Sequence, residues 1–491
     1  MSNTGDCELD YDYYFDNEAK QIKYEVLVKV AKYTYEETLE EHVDSIPYEI
    51  IPGPLPTFRC CIYKEREIIR ERLISARGGN QPGQKDEYVV GVLPAACEGC
   101  PISRFRVTDN CQHCLAQKCR EACPFGAISI TPRGAYIDPQ KCRECGRCAA
   151  ACPYNAISDT LRPCVRACPV KAIGKDEYKR SKIDYTRCIS CGACMKNCPF
   201  GAITDRSHIV SIINDIKNGI PVAACFAPAI EGHFGNATIS VIKNALKELG
   251  FSEAVEVSLG ADATAEHEAN ELVEALKSGR KMTSSCCPAF VEMIEKHFPK
   301  LKGNISHTAS PMAAIARYIR IKKPGTKVVF IGPCVAKKLE IKKTTDTADY
   351  VMTFEELAAM FTAKGINLEK IGAVEQDGSR AGKGFAQSGG VAGAVQQVLK
   401  EEGIDTPVSC VKCDGAAECK KILAILNAGR LPNDFIEGMA CEGGCIAGPA
   451  GMEPIQKVKK NRAKLIAAAD KRGVKENVTE IHDFSMINME R

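Results

Sequence analysis

The chain has no apolar run that could cross a bilayer. The uncharged, apolar stretch Gly219 to Ile230 falls far short of the roughly 20 residues a membrane helix needs. It has no block of like charge, and its net charge is +3, which leaves no footing for nucleic acid or an anionic membrane. The opening residues, Met1 to Asp6, carry neither the basic start nor the apolar core of a secretory signal, so a soluble cytoplasmic protein is expected. Histidine is scarce, at 8, and only His113 lies within the cysteine runs. Zinc sites usually combine cysteine pairs with histidines or further pairs, so zinc gets little support. Tryptophan is absent altogether.

What is present is ordinary in bulk and unusual in one residue. A length of 491 residues is too great for one simple core and suggests two or three domains. Apolar content of 45% and charge of 26% are those of globular protein. Cysteine is the outlier, at 28. A reducing cytoplasm disfavours disulfides. The spacing, densest between Cys97 and Cys198, is that of iron–sulfur ligands.

Residues 96–205 contain an internal repeat, Cys-x-x-Cys-x-x-Cys-x-x-x-Cys-Pro followed by a short β-like run, which is the bacterial ferredoxin pattern. Two copies are complete: Cys142, Cys145, Cys148, Cys152 and Cys188, Cys191, Cys194, Cys198. A stretched copy runs Cys111, Cys114, Cys119, Cys123, and a truncated one keeps Cys164 and Cys168. In such pairs the cysteine before proline serves the neighbouring cluster. The expected ligand sets are therefore Cys111, Cys114, Cys119 with Cys152; Cys142, Cys145, Cys148 with Cys123; and Cys188, Cys191, Cys194 with Cys168. Cys164 and Cys198 remain, and Cys97-x-x-Cys100 supplies the missing pair for a fourth cluster.

Residues 1–95 are less readable. Glu25 to Tyr35 shows β-like alternation, Lys64 to Leu73 reads as an exposed charged helix, and Gly78 to Gly83 reads as a loop. Cys7, Cys60 and Cys61 make no four-cysteine pattern, so a structural extension or partner surface is expected. Across 206–491, helical periodicity alternates with short apolar strands. Lys327 to Ile331 reads as a buried strand leading to Cys334, Pro288 to His297 as a helix, and Asn461 to Asp470 as a terminal helix. The fold class expected is α/β (α+β overall), with mixed sheets flanked by helices, a site between two lobes, and tandem ferredoxin-like domains.

Three segments in this last region carry a resemblance. They are Thr283-Ser284-Ser285-Cys286-Cys287-Pro288, Gly332-Pro333-Cys334-Val335-Ala336-Lys337-Lys338-Leu339-Glu340, and Met439-Ala440-Cys441-Glu442-Gly443-Gly444-Cys445. Together they resemble the signature segments of the iron-only (FeFe) hydrogenases. The resemblance implies an H-cluster: a 4Fe–4S cubane on Cys287, Cys334, Cys441 and Cys445, with Cys445 bridging to a two-iron subsite that carries CO, cyanide and dithiolate ligands. It implies that Lys337 bonds a cyanide, and that Ala227, Pro228, Phe385 and Met439 also contact the cofactor. It further implies a proton route through Cys286, Glu268, Ser306 and Glu271. The plain alternatives are a surface lysine at 337 and a solvated helix face at Glu268 and Glu271.

This chain also departs from the family. Ala229 replaces a frequent serine, Gly332 a methionine, Phe290 a tryptophan, Ala275 the route's outer arginine, and Glu442 stands where proline or histidine is common. The resemblance is to a divergent branch similar to group B. The function it implies is interconversion of protons and reduced ferredoxin with hydrogen. Three or four additional 4Fe–4S clusters would relay electrons, with ferredoxin or another low-potential carrier and maturation proteins as partners. A hydrogen or redox sensor, an iron–sulfur assembly protein and a multi-cluster electron carrier stay open as rivals. The glycine-rich run Ser388 to Ala394 is too weak a signal for a nucleotide. Cys410, Cys413 and Cys419 could bind metal but read better as structural thiols, and Cys225 as a core residue.

Overall fold

The computed structural model describes residues 13, 15, 17–100, 103–372, 376–404, 408–467 and 472–491. Cys7 and the last three residues of the expected terminal helix lie outside them. That helix spans Ile455–Ala467, beginning directly after Pro454.

Two parallel sheets organise the C-terminal region. The larger has strand order Glu253–Glu256, Val222–Phe226, Lys327–Ile331, Tyr350–Met352, every pairing parallel. The smaller runs Met282–Thr283, Phe435–Met439, Cys410–Asp414, also parallel. Val222–Phe226 is buried at every position, as expected for a strand covered by helices on both faces. Cys225 lies fully buried within it. Pro288–His297 is helical, its first-turn proline sparing a backbone donor that would be unpaired anyway.

The N-terminal segment corrects two expectations. Glu25 to Tyr35 is not β-like but part of a helix, Glu18–Tyr35, capped by the Asn17 side chain on the Ala19 amide. This helix packs between Phe354–Lys364, Ile209–Lys217 and Ile62–Ala76. Burial on several sides places Val26, Leu27, Val28, Val30 and Ala31 in the core and blurs the amphipathic period. The charged helix exists as Ile62–Ala76, but Glu65 and Arg72 are buried rather than solvated. Glu65 accepts the amides of Thr57, Phe58 and Arg59.

Between these regions, one ferredoxin-like unit is inserted in another. In the inner piece Phe105–Val107 pairs antiparallel with Ile157–Asp159, enclosing the hairpin Ile128–Thr131/Gly134–Ile137. The host repeats that layout: Val90–Val92 pairs with Ile203–Asp205 and encloses the hairpin Ile173–Lys175/Ser181–Ile183. The insertion falls between Cys100 and Cys164. That position explains why one sequence copy of the repeat is truncated and why a lone Cys-x-x-Cys precedes the others.

Candidate functional site

The ferredoxin repeats share backbone geometry as well as spacing. Each cysteine before proline accepts a hydrogen bond from the amide four residues on: Cys123 from Ala127, Cys152 from Ala156, Cys168 from Ala172, Cys198 from Ala202, at 3.1 to 3.4 Å. The third residue after each cysteine has positive φ, including the non-glycines Asn155 (50°) and Lys171 (52°). Such backbone costs free energy and persists where the surroundings impose it. The alanine that recurs after each Cys-Pro thus supplies an N–H directed at sulfur.

The cysteines gather in groups of three and four. Cys119 has Cys152 and Cys114 as electrostatic neighbours, and Cys148 has Cys142 and Cys123. Cys194 is grouped with Cys191, Cys188 and Cys168. Cys100 is grouped with Cys198, Cys97 and Cys164. Cys445 neighbours Cys334 and Cys287, and Cys441 neighbours all three. Burial, reinforced by neighbouring thiols, pushes Cys100 and Cys334 up to about 11 and Cys191 and Cys445 up to about 12. Thiols so placed become thiolates only when metal takes up their charge. Among the described residues no three His, Cys, Asp or Glu side chains converge on a single-ion position. Groups of four thiols fit a cubane, whose ligands bind separate irons.

The quartets also have an order. Cys194 counts Cys164 among its neighbours, while Cys191 counts Cys287. The Cys168/Cys188/Cys191/Cys194 group therefore stands between the Cys97/Cys100/Cys164/Cys198 group and the C-terminal one. Gly192 holds this junction closed, since a Cβ there would meet Pro449 at 2.6 Å. Lys296, on the helix after Cys287, donates to the Cys188 carbonyl at 2.6 Å.

The C-terminal site forms where parallel strands end. Val222–Phe226 leads to Ala227-Pro228, Met282–Thr283 to Cys286-Cys287, Lys327–Ile331 to Cys334, and Phe435–Met439 to Cys441. Ligands in α/β folds bind at such carboxyl ends, where loops from separate strands converge. Here they enclose a cavity of ≈ 80 Å³ lined by Ala227, Pro228, Cys286, Lys337, Phe385 and Met439, among others, with Cys287 and Cys445 at its wall. Two departures in sequence are accommodated by packing. A Cβ at Gly332 would meet the Phe330 ring at 2.7 Å, so Phe330 fills the space a longer side chain would need. Phe290, fully buried, lies directly on Gly438.

Lys337 is no surface lysine: it is 8% exposed. Its Nζ pairs with Glu340 at 2.6 Å, and Glu340 takes the Ser310 hydroxyl at 2.5 Å. Burial alone would lower its pKa, but Glu340 outweighs burial and raises it, so the ammonium is retained.

The two glutamates do not form a solvated face. Glu268 is fully buried, and neither carboxyl oxygen has a hydrogen-bond partner among the described residues. Burial, with Glu271 close by, pushes it up to about 8, although Ser285 and Ser306 pull the other way. Glu271 behaves oppositely. Burial pushes it up, but bonds from Ser306, His307 and Arg280 outweigh it and hold it below the usual range. The Ser306 hydroxyl reaches Glu271 at 2.7 Å. Glu268 is also the leading charge acting on Cys286, whose thiol burial already pushes well above its ordinary value. One carboxyl pushed up and one held down, with a serine hydroxyl bonded to the second and a thiol near the first, form a set suited to stepwise proton transfer.

Sequence reasoning missed several partners. Glu340 closes the quoted second segment, three residues after Lys337, the helical spacing at which side chains meet. His307 adjoins Ser306, but nothing in its spacing marked it. Glu437 was hidden in a buried strand; its carboxylate accepts the amides of Gly389 and Ala392 at 2.7 and 2.9 Å. The glycine-rich turn therefore spends its N–H groups on Glu437. Cys413 and Cys419 are fully buried together, the Cys419 thiol lying 3.4 Å from the Met439 carbonyl.

Comparison with known proteins agrees with this geometry. Residues 220–449 match the family model "Iron only hydrogenase large subunit, C-terminal domain". Residues 110–156 match a 4Fe-4S dicluster domain and 181–204 a 4Fe-4S binding domain. Iron hydrogenase 1 of Clostridium pasteurianum is 29% identical over 291 residues, covering 48% of this chain and 50% of that protein. The match thus spans only half the length of that relative. The periplasmic Fe hydrogenase large subunit of Nitratidesulfovibrio vulgaris is 29% identical over 308 residues, covering 51% and 73%. A solved FeFe-hydrogenase structure aligns at a TM-score of 0.50 and 23% identity over 57% of this chain and 94% of that one, a likeness of fold. These matches support an H-cluster and additional 4Fe–4S clusters as cofactors. No helix among the described residues is long and apolar enough to cross a membrane.

Proposed function

Because the chain belongs to the iron-only hydrogenase family, we propose that it interconverts protons and electrons with molecular hydrogen in the cytoplasm, exchanging electrons with ferredoxin or another low-potential carrier. One observation carries the reading: Cys286, Cys445 and Lys337 share an apolar cavity at the end of a line of cysteine quartets. When bound, the H-cluster supplies the chemistry that joins protons and electrons as hydrogen. Cys287, Cys334, Cys441 and Cys445 would hold its cubane, and Cys445 would also serve the two-iron subsite, which maturation proteins would deliver.

The chain's own residues do the rest. Lys337, held by Glu340, presents a charged donor to the subsite. Ala227, Pro228, Phe385 and Met439 keep water from the cavity. The Cys286 thiol gives a proton into the cavity and takes the next from Glu268. Glu268 is resupplied from Glu271 through the Ser306 hydroxyl. Electrons at the proton–hydrogen potential at pH 7 lie near −0.41 V, at roughly 59 mV per pH unit. Ferredoxin-type clusters reach this range, and the four quartets between Cys97 and Cys198 are assigned as the relay.

The test is hydrogen evolution from a reduced low-potential donor after maturation with the two-iron subsite. Wild type should evolve hydrogen. Cys286→Ala should keep every cluster spectrum and lose at least about 100-fold in turnover, the lower end of what a positioned acid–base group contributes. A fully loaded wild type that evolves and consumes no hydrogen would overturn the assignment in favour of a sensor or scaffold.

A further inference from the structure

We propose that His307 is the group through which Glu271 exchanges protons with solvent. The inference rests on the proton route proposed above. In the family the resemblance points to, an arginine closes that route; here the position is Ala275, 2% exposed. Two other cations meet Glu271 instead. Arg280 reaches Oε1 at 3.2 Å, and the His307 ring Nδ1 lies 2.9 Å from the same oxygen, while the His307 amide donates to both oxygens at 3.1 and 3.0 Å. Ser306 and Thr308 donate to Oε2 at 2.7 and 3.1 Å from the inner side. The carboxylate is therefore bonded inward through one oxygen and outward through the other.

Chemistry separates the two cations. A guanidinium stays protonated in proteins and cannot release a proton to a carboxylate. An imidazole ordinarily titrates near 6.5 and both gives and takes protons near neutral pH. Exposure agrees: the His307 side chain is 72% exposed and Glu271 10%. The step balances on the ring. Nε2 takes a proton from water or buffer, Nδ1 gives its own to Glu271 Oε1, and loss of the Nε2 proton with reprotonation at Nδ1 restores the starting tautomer. The groups around the imidazole are Glu271 and His267 on the helix Val257–Lys277, the latter through Thr308, then Arg280 beyond that helix. Arg491 also stands there, its amide on the His307 carbonyl and its side chain paired with Glu295. Arg280 serves to keep Glu271 ionised.

Chemical rescue tests this. In loaded enzyme at low buffer concentration, His307→Ala should lose about tenfold in turnover, less than a catalytic acid–base group because water still reaches Glu271. Added imidazole should restore most of that loss, while cluster spectra stay unchanged; a purely structural role would not be rescued. Imidazole should not rescue Arg280→Gln. Independently of turnover, nitrogen NMR should show the His307 Nδ1 signal moving in Glu271→Ala, because that nitrogen lies 2.9 Å from the carboxylate oxygen. A His307→Ala enzyme at wild-type rate in low buffer, or slowed without rescue, would overturn the proposal. An inactive wild type would instead defeat the hydrogenase reading, leaving the NMR comparison to decide whether the His307 ring is bonded to Glu271.

Discussion

The host and inserted ferredoxin-like units share one strand layout and differ in nearly everything around it. In the host, Cys97, Cys164 and Cys198 are buried, the Arg162 guanidinium lies 4.0 Å from the Cys97 sulfur, and Arg72 is buried close to Cys198. Its last strand ends at Asp205, which Lys23 and Lys338 each grip at 2.7 Å. Lys338 reaches on to Glu356 at 2.9 Å and Lys23 to Glu355 at 2.7 Å. One buried network thus ties the N-terminal helix, the host unit and the C-terminal region together. In the inserted unit Cys145 is exposed, as are Leu115, Phe125, Tyr136 and Tyr154. Its pairs, such as Arg104–Asp159, lie at the surface. The comparison teaches that the repeat groups the cysteines, whereas the surroundings assign the group a place: the host is built into the C-terminal region and the inserted unit faces outward.

The sharpest way to break the comparison is to remove one cysteine from each unit. Cys191→Ala, beside Cys287, should cut hydrogen evolution by more than about 100-fold whichever donor is used. Cys145→Ala should impair evolution driven by a protein carrier far more than evolution driven by a small dye. Equal losses from both variants with both donors would erase the distinction. Paramagnetic-resonance spin counts would show which cluster each variant lacks.

The next effect is on stability. Lys338→Ala leaves Asp205 and Glu356 buried with less compensation and should cost about 3–5 kcal/mol in denaturant unfolding of the loaded protein. The pH dependence follows from Asp205. Burial pushes its carboxyl up, but Lys23 and Lys338 outweigh burial and hold it well below the ordinary range. A carboxyl with a depressed folded pKa contributes fully above its unfolded value, about 3.9, and loses that contribution as pH falls through the folded value. The gap between wild type and Lys338→Ala should therefore stay level from about pH 8 to 5 and narrow only below about 4. A gap that closes near neutrality would place the effect elsewhere.

The smallest effect belongs to the inserted unit. Arg104→Ala removes the Asp159 pair, in which both side chains are about a third exposed, and should cost less than about 1 kcal/mol. The loss should shrink further in high salt, since the charges are solvated. A cost as large as that of Lys338→Ala would mean that the inserted unit is anchored as firmly as its host.

Legibility followed how local each cause is. The ferredoxin ligand spacings and the cysteines of the three C-terminal segments could be read directly, because each cluster loop is one short stretch. The helix Glu18–Tyr35 was misread because burial on several faces removes the one-sided pattern that marks a surface helix. The charged helix was seen, but the fate of Glu65 and Arg72 was not, since charge in a sequence ordinarily signals solvent.

By itself the sequence determined which residues the proposal assigns the chemistry to: cysteines at cluster spacing, a thiol beside a proposed ligand, a lysine three residues after another, and two glutamates one helical turn apart. Only the tertiary structure decided what surrounds them. It inserted one ferredoxin-like unit in another, brought four strand ends to one cavity, buried Glu268 without partners, and set His307 rather than residue 275 against Glu271. The reason is physical. Spacing within a loop is fixed by covalent geometry over a few residues, whereas burial, charge balance and the path of a proton depend on atoms that meet only after distant segments have packed.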